Sequence, residues 1–214
     1  MIFVPSLNHG GVHVRSIRAR DARPLRNLLA ENRSWLEKWE ATIPGYSALP
    51  AVGDIIRSLL RLARQNHAAP FIIEHDGEVV GQITVSGLSF GSLSSGSIGY
   101  WISEDRAGRG ITPTAVALVI DWCFTGLGIH RIEICIRPEN VSSLRIVRKL
   151  GMRYEGLRRR YIHIDGDWRD HFCFAVTIDE APGGLLARIT RGTANESLAD
   201  IPEADRIAAR TPIL

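Results

Sequence analysis

Residues 106–112 read Arg-Ala-Gly-Arg-Gly-Ile-Thr (RAGRGIT) and run directly into PTAVALVIDWCF, residues 113–124. Two glycines and two arginines within seven residues, just ahead of a helical sequence, form a pattern with a chemical reading. Thr112 is a helix-capping residue type, and Pro113 suits the first helical position, where its missing N–H costs nothing. Glycine ahead of such a start adopts backbone conformations closed to other residues and lets a ligand approach the main chain. Free N–H groups then converge with the positive end of the helix dipole, which suits a phosphate or pyrophosphate. Arg106 and Arg109 add guanidinium groups that make charge-assisted bonds to phosphate oxygens. An ordinary glycine-bearing loop with two solvated arginines explains the seven residues as well, so the surroundings decide. No Gly-Lys-Ser/Thr follows, which excludes a Walker loop, and the six-residue glycine spacing of a dinucleotide fold is absent.

Working outward, Val116, Val119, Ile120, Cys123, Phe124 and Leu127 recur at three- and four-residue intervals, an apolar stripe on a helix ended by Gly126 and Gly128. Upstream, GSIGYWIS (96–103) is a strand, and FIIEH (71–75), the Asp76-Gly77 turn and EVVGQITVS (78–86) form a hairpin. Further out, VHVRSIR (12–18) alternates as a half-buried strand does, and helical spacing covers residues 21–40 and 53–66. Downstream, RIEICIR (131–137) is a strand with Ile132, Ile134 and Ile136 on one face, and NVSSLRIVRKLG (140–151) is a short basic helix closed by Gly151. Strands RRRYIHI (158–164) and DHFCFAVTI (170–178) follow, joined through Asp165-Gly166-Asp167. The order predicts an α+β fold with a mainly antiparallel sheet and helices between some strands.

A chain of 214 residues supports one substantial core. Residues 1–180 read as a single domain, and the polar, small-residue-rich stretch 181–214 reads as a partly mobile tail. With 26 basic and 23 acidic side chains, the net charge of +3 is too small to argue for nucleic acid by itself. The run Arg158–Arg160 reads as a solvated face unless a phosphate site lies nearby. Cys123, Cys135 and Cys173 are far apart in sequence and sit in apolar runs, so they read as small buried hydrophobes of a reducing compartment. The seven histidines lack metal-ligand spacing. No charged-then-apolar leader opens the chain, and no apolar run approaches the roughly 20 residues that span a bilayer, so a cytoplasmic protein is expected.

Two blocks taken together, GYWISEDRAGRGIT and HRIEICIRPENVSSLRIVRKLGMRYEG, resemble the GCN5-related N-acetyltransferase (GNAT) superfamily, and within it the RimJ/RimL-type ribosomal-protein N-terminal acetyltransferases. The likeness runs from Val12 to Ile178. It implies the GNAT fold: a mixed, mostly antiparallel central sheet splayed between the GYWI and RIEICIR strands, flanked by helices, with acetyl-CoA wedged in the gap and no metal. The loop Ala107, Gly108, Arg109, Gly110, Ile111 and Thr112 would hold the pyrophosphate. This family usually has Gln or Arg at the position of Ala107 and Gly or Ala at that of Thr112, departures that alter fit more than they remove backbone donors.

By the same resemblance, the pantetheine arm pairs with the backbone near Ile102, Asn140 contacts the cofactor, and Ser143 occupies the Asn-x-x-Ser position whose hydroxyl protonates the departing thiolate. Asn140 is also a good helix cap. Tyr161 is the competing proton donor, and packing across a hairpin is its plain alternative. Glu133 is a candidate base for the attacking amine, with an ion-paired strand carboxylate as its alternative, and the glutamate that RimL-type enzymes place near Ile162 is missing. Trp35 and Trp39, one helical turn apart among Glu31, Glu37 and Glu40, belong to the acceptor side by resemblance and to the core by default. The expected acceptor is a protein or peptide N-terminus, with no membrane and no direct nucleic-acid partner required and a homodimer allowed. A small-molecule amine acceptor, a non-catalytic CoA-binding module, and a nucleic-acid partner held by Arg158–Arg160 and the basic helix 145–149 are the alternatives.

Overall fold

The computed structural model describes residues 5–45 and 50–211. Strands β1 (Leu7–His9) and β2 (Val12–Ser16) precede helices α1 (Ala22–Glu31), α2 (Arg33–Leu36) and α3 (Val52–Arg64). Strands β3 (Ala69–His75), β4 (Glu78–Ser89) and β5 (Ser95–Ile102) lead to α4 (Ile111–Gly126), β6 (Arg131–Ile136) and α5 (Val141–Leu150). The chain then forms β7 (Arg153–Ile164), β8 (Asp167–Thr177), α6 (Leu185–Thr190) and α7 (Glu203–Arg210). The strands make an eight-stranded sheet in the order β1-β2-β3-β4-β5-β6-β8-β7, antiparallel at every junction except β5–β6.

Strand alternation sets which side each residue serves. Phe71 and Ile73 of β3 join Val14, Ile83 and Val85 against α4, whereas Ile72 between them meets Leu25 of α1 and Ile56 of α3 on the opposite face. Both faces are therefore covered. Phe71 meets Trp122 of α4 edge-on with centroids 5.3 Å apart, and a fully buried aromatic of this kind is worth about 3–5 kcal/mol on truncation to alanine.

Four expectations are corrected. Residues 21–40 are not one helix: Asn32 interrupts them at φ −106 and ψ 19, donating its side-chain amide to the Leu28 carbonyl (2.9 Å) and accepting from the Glu104 N–H (2.8 Å). An asparagine side chain that competes for backbone partners ends a helix that its apolar spacing would continue. Helix α4 starts at Ile111, with Gly110 as its cap, so Thr112 is a buried first-turn residue and Pro113 is third in the helix. Proline is tolerated there because N–H groups of the first turn have no intrahelical partner. Helix α4 also lacks a single stripe: Ala115–Ile120 and Trp122–Phe124 are all buried, as befits a helix enclosed by the sheet, α5 and α6.

Of the stretch read as a tail, residues 181–211 are described, and they fold against the core. The Asp121 carboxylate accepts from the N–H groups of Leu185 (2.6 Å) and Leu186 (3.0 Å), Arg188 donates to the carbonyls of Leu150 and Gly151, and the Tyr154 hydroxyl donates to Asp205 (2.8 Å). Its apolar residues come in groups too short for periodicity to reveal. No helix of the described residues is long and apolar enough to cross a membrane.

Candidate active site

Strands β5 and β6 pair only at Ser95–Arg131, Gly96–Ile132 and Ser97–Glu133. Beyond Ser97 they separate, and β5 continues to Ile102 paired with β4 alone. The gap opens on the α4–α5 side into a cleft of about 530 Å³ whose wall includes Ile102, Gly108, Gly110, Asn140 and Ser143. On the α1–α2 side a second cavity of about 390 Å³ is bounded by Trp39, Glu40, Cys135, Ile162 and His171. Both lie in the size range of small-molecule sites. Leu36, Trp39, Tyr100, Trp101, Asn140 and Ser143 border both, so the two cavities meet at these side chains.

The loop at the cleft mouth owes its shape to glycine: Gly108 and Gly110 hold φ of +76° and +79°, the left-handed region where a Cβ is strained. The N–H groups of Gly108, Arg109, Gly110, Ile111 and Thr112 find no acceptor among the described residues. Five free donors at the start of a 16-residue helix have the geometry that suits an anion. Its arginines behave otherwise. Arg106 pairs with Glu78 (2.7 Å) and Asp105 (3.1 Å), and exposed Arg109 borders a small side cavity. The cations bordering the cleft are Lys38 of the α2 side and Arg145 and Lys149, one turn apart on α5. Sequence reading offers this basic helix to a nucleic-acid alternative and also to the phosphates of CoA, the second being preferred.

At the meeting point the Tyr100 hydroxyl and the Ser143 hydroxyl are 2.6 Å apart, a bond between β5 and α5 across the gap. Burial pushes the Tyr100 phenol well above its ordinary range, the Ser143 contact only partly opposing it, so the phenol keeps its proton. Asn140 accepts from the Ser143 N–H (3.0 Å), capping α5 and fixing the serine one turn inside it. Tyr100 escaped sequence reading because nothing local links it to residue 143.

Trp35 donates its indole N–H to the Ile102 carbonyl (3.1 Å) and ties the α2 segment to β5. Trp39, half-buried, lies between Lys38 and Arg137, each 5.4 Å from its ring. The acidic character expected around it is partly cancelled, since Arg33 binds Glu40 and approaches Glu37.

The other two candidates line neither cavity but sit just behind the second one: Tyr161 packs edge-on against His171 at 5.8 Å, and Glu133 lies 3.3 Å from the Cys135 sulfur. Glu133, 7% exposed, takes both prongs of the Arg158 guanidinium at 2.6 Å and Arg131 at 3.1 Å. Burial alone would raise its carboxyl, but Arg158, Cys135 and Arg131 together bring it below the usual range, which makes it a weak base. The geometry thus favours the ion-paired alternative for Glu133. Tyr161 is 41% exposed and packs on Arg158, 4.8 Å from ring to guanidinium. A bulge between Arg158 and Ile162, with Arg160 at φ +46°, carries it out of register.

A group no local signal marked is His171. It is 3% exposed, borders the second cavity, and donates Nδ1–H to the Arg169 carbonyl (3.0 Å). That bond leaves Nε2 as the lone-pair nitrogen, without a protein partner among the described residues. Burial holds its pKa below the ordinary histidine value; the Arg169 carbonyl opposes, Arg137 assists, and Glu139 and Asp170 oppose. It is a neutral base near neutral pH.

Comparison with known proteins agrees with this geometry. Residues 12–153 match the family model described as acetyltransferase (GNAT) domain. The chain is 30% identical to the [ribosomal protein uS5]-alanine N-acetyltransferase of Escherichia coli (strain K12), over 79% of this chain and 90% of that one. It is 29% identical to the probable N-acetyltransferase YjcK of Bacillus subtilis (strain 168), over 77% and 93%. The solved structure of Mycobacterium smegmatis RimJ in complex with CoA-disulfide superposes with a TM-score of 0.80 at 37% identity, over 85% of this chain and 89% of that one. A splayed sheet, a cradle of free N–H groups and the match over residues 12–153 lead to one conclusion: the chain belongs to the GNAT acetyltransferase family.

Proposed function

We propose that this acetyltransferase moves the acetyl group of acetyl-CoA to the α-amino group of a protein N-terminus, a ribosomal protein being the favoured acceptor. The observation that carries the reading is the junction of two cavities at Tyr100 and Ser143, one lined by a phosphate cradle and the other by a neutral histidine. The relative that modifies uS5 supports the acceptor class.

The donor set fits CoA. The N–H groups of residues 108–112 hold the pyrophosphate, Arg145 and Lys149 meet further phosphate charge, and the backbone near Ile102 pairs with the pantetheine amides. Acetyl-CoA supplies an activated thioester. The chain's own residues supply proton traffic and position: His171 Nε2 takes a proton from the amine, directly or through a water, and releases it to solvent, while Ser143, its hydroxyl oriented by Tyr100, gives a proton to the departing thiolate and regains one from solvent. Trp39 stands where acceptor and donor meet. An α-amine, with a reference pKa of about 7.7–8.0, keeps a usable neutral fraction near pH 7, whereas lysine at about 10.4 keeps under about one per cent. A histidine base therefore suits the former.

The test compares peptides with a free N-terminus, peptides with a blocked N-terminus and free lysine, and a panel of small amines, each with acetyl-CoA at several pH values. Acetylation of free N-termini is expected to dominate. Preference for lysine, or for small amines over every peptide, overturns the acceptor assignment while leaving the fold and family intact.

A further inference from the structure

Cys135 of β6 and Cys173 of β8 stand directly opposite each other in the antiparallel register, and their sulfurs are 2.9 Å apart. Residues so paired have Cα atoms about 4.5–5.5 Å apart, inside the roughly 4.4–6.8 Å that a disulfide spans. The register thus meets the Cα spacing of a bridge. Cys135 is half-buried and borders the second cavity, and Cys173 is buried beside it. Arg158 Nη1 lies 3.5 Å from the Cys135 sulfur and is anchored there by Glu133, whose Oε1 is 3.3 Å from the same sulfur. The Cys135 hydrogen bond draws the Cys173 thiol below its ordinary range, against burial and with help from Arg158, while the same contact holds the second proton on Cys135. The pair thus releases one proton readily and retains the other. Cys123 differs on every count: it is enclosed in α4, and burial pushes it up to about 12.

We propose that Cys135 and Cys173 form a thiol–disulfide exchange site on the acceptor face, reacting with low-molecular-weight disulfides. The Cys173 thiolate acts as the base: the Cys135 proton passes to it as the Cys135 sulfur, the one that borders the cavity, attacks one sulfur of the disulfide. That S–S bond breaks, the first small thiolate leaves and takes a proton from solvent, and a mixed disulfide forms on Cys135. The Cys173 thiol gives up its proton and attacks the Cys135 sulfur. The second small thiol departs with that proton, and the Cys135–Cys173 bond closes. Two protein thiols are oxidised and one small disulfide is reduced to two thiols.

The experiment treats the full, folded chain with glutathione disulfide and reads intact mass and alkylatable thiols. Loss of two hydrogens, a single remaining thiol at Cys123, a linked Cys135–Cys173 peptide and reversal by dithiothreitol are expected. Cys173→Ser should halt the reaction at a stable glutathione adduct on Cys135. Three alkylatable thiols in treated wild-type protein overturn the proposal. So does a wild-type adduct that never resolves, a bridge involving Cys123, or a Cys173→Ser protein that stays unmodified while remaining folded by circular dichroism.

Discussion

The two sides of the splayed sheet are built from different material. On the α4–α5 side the groups proposed to bind the donor are mostly main-chain N–H donors shaped by Gly108 and Gly110 within one short segment. On the α1–α2 side they are side chains gathered from distant strands and helices: Trp39, Ile162 and His171. A backbone cradle tolerates sequence change at most of its positions, so Ala107 and Thr112 can depart from the usual residues without loss of donors. A side-chain pocket changes with each substitution. One side is therefore suited to an invariant co-substrate and the other to a variable acceptor.

The sharpest way to break this contrast is His171→Gln, which keeps the shape of the pocket and removes the base. With both substrates saturating, kcat should fall about 10²–10⁴-fold with CoA affinity unchanged. The pH profile supplies the sign: the imidazole must be neutral to act and burial depresses its pKa. Wild-type kcat should hold through the ordinary histidine range and fall only at more acid pH, and the variant should lose this acid limb. A variant that retains both rate and limb removes His171 from the chemistry.

The backbone side is tested by Gly110→Val. A β-branched residue at φ +79° is strained by about 1–3 kcal/mol. The strain should weaken CoA binding about 5- to 150-fold by calorimetry, with kcat at saturation little altered. Unchanged affinity in a folded variant rejects the cradle. The smallest effects separate the two proton donors. Ser143→Ala should lower kcat by less than the roughly 10²-fold at the low end for a proton-transfer group, with CoA affinity retained, and Tyr161→Phe should leave kcat near the wild-type value. The opposite pattern moves the role to Tyr161.

What could be read in advance follows the same division. The strands, the helix after the loop and the glycine cradle were legible because each is encoded within a dozen residues by periodicity and φ requirements. Asn140 and Ser143 came with the motif around them. The break at Asn32 was hidden, since apolar spacing continues past it while its side chain reaches Glu104, 72 positions away. His171 and Tyr100 carried no local signal: one is defined by a bond to Arg169 and a cavity, the other by a hydroxyl 43 positions along the chain. Arg106 misled because its acidic partner, Glu78, is 28 positions away.

The divergence of β5 and β6 creates two sheet edges in the interior of a sheet rather than at its rim. Exposed edges invite pairing with strands of other chains, and proteins ordinarily blunt them with charge, proline or bulges. Here the geometry itself does the blunting. The two edges face each other across a gap, Trp35 occupies the Ile102 carbonyl, and Trp39 and the α2 segment stand at the junction. Another molecule's strand has no flank along which to approach. The fold can therefore leave main-chain groups open to a ligand without presenting the template for aggregation that the same groups would offer at the margin of the sheet.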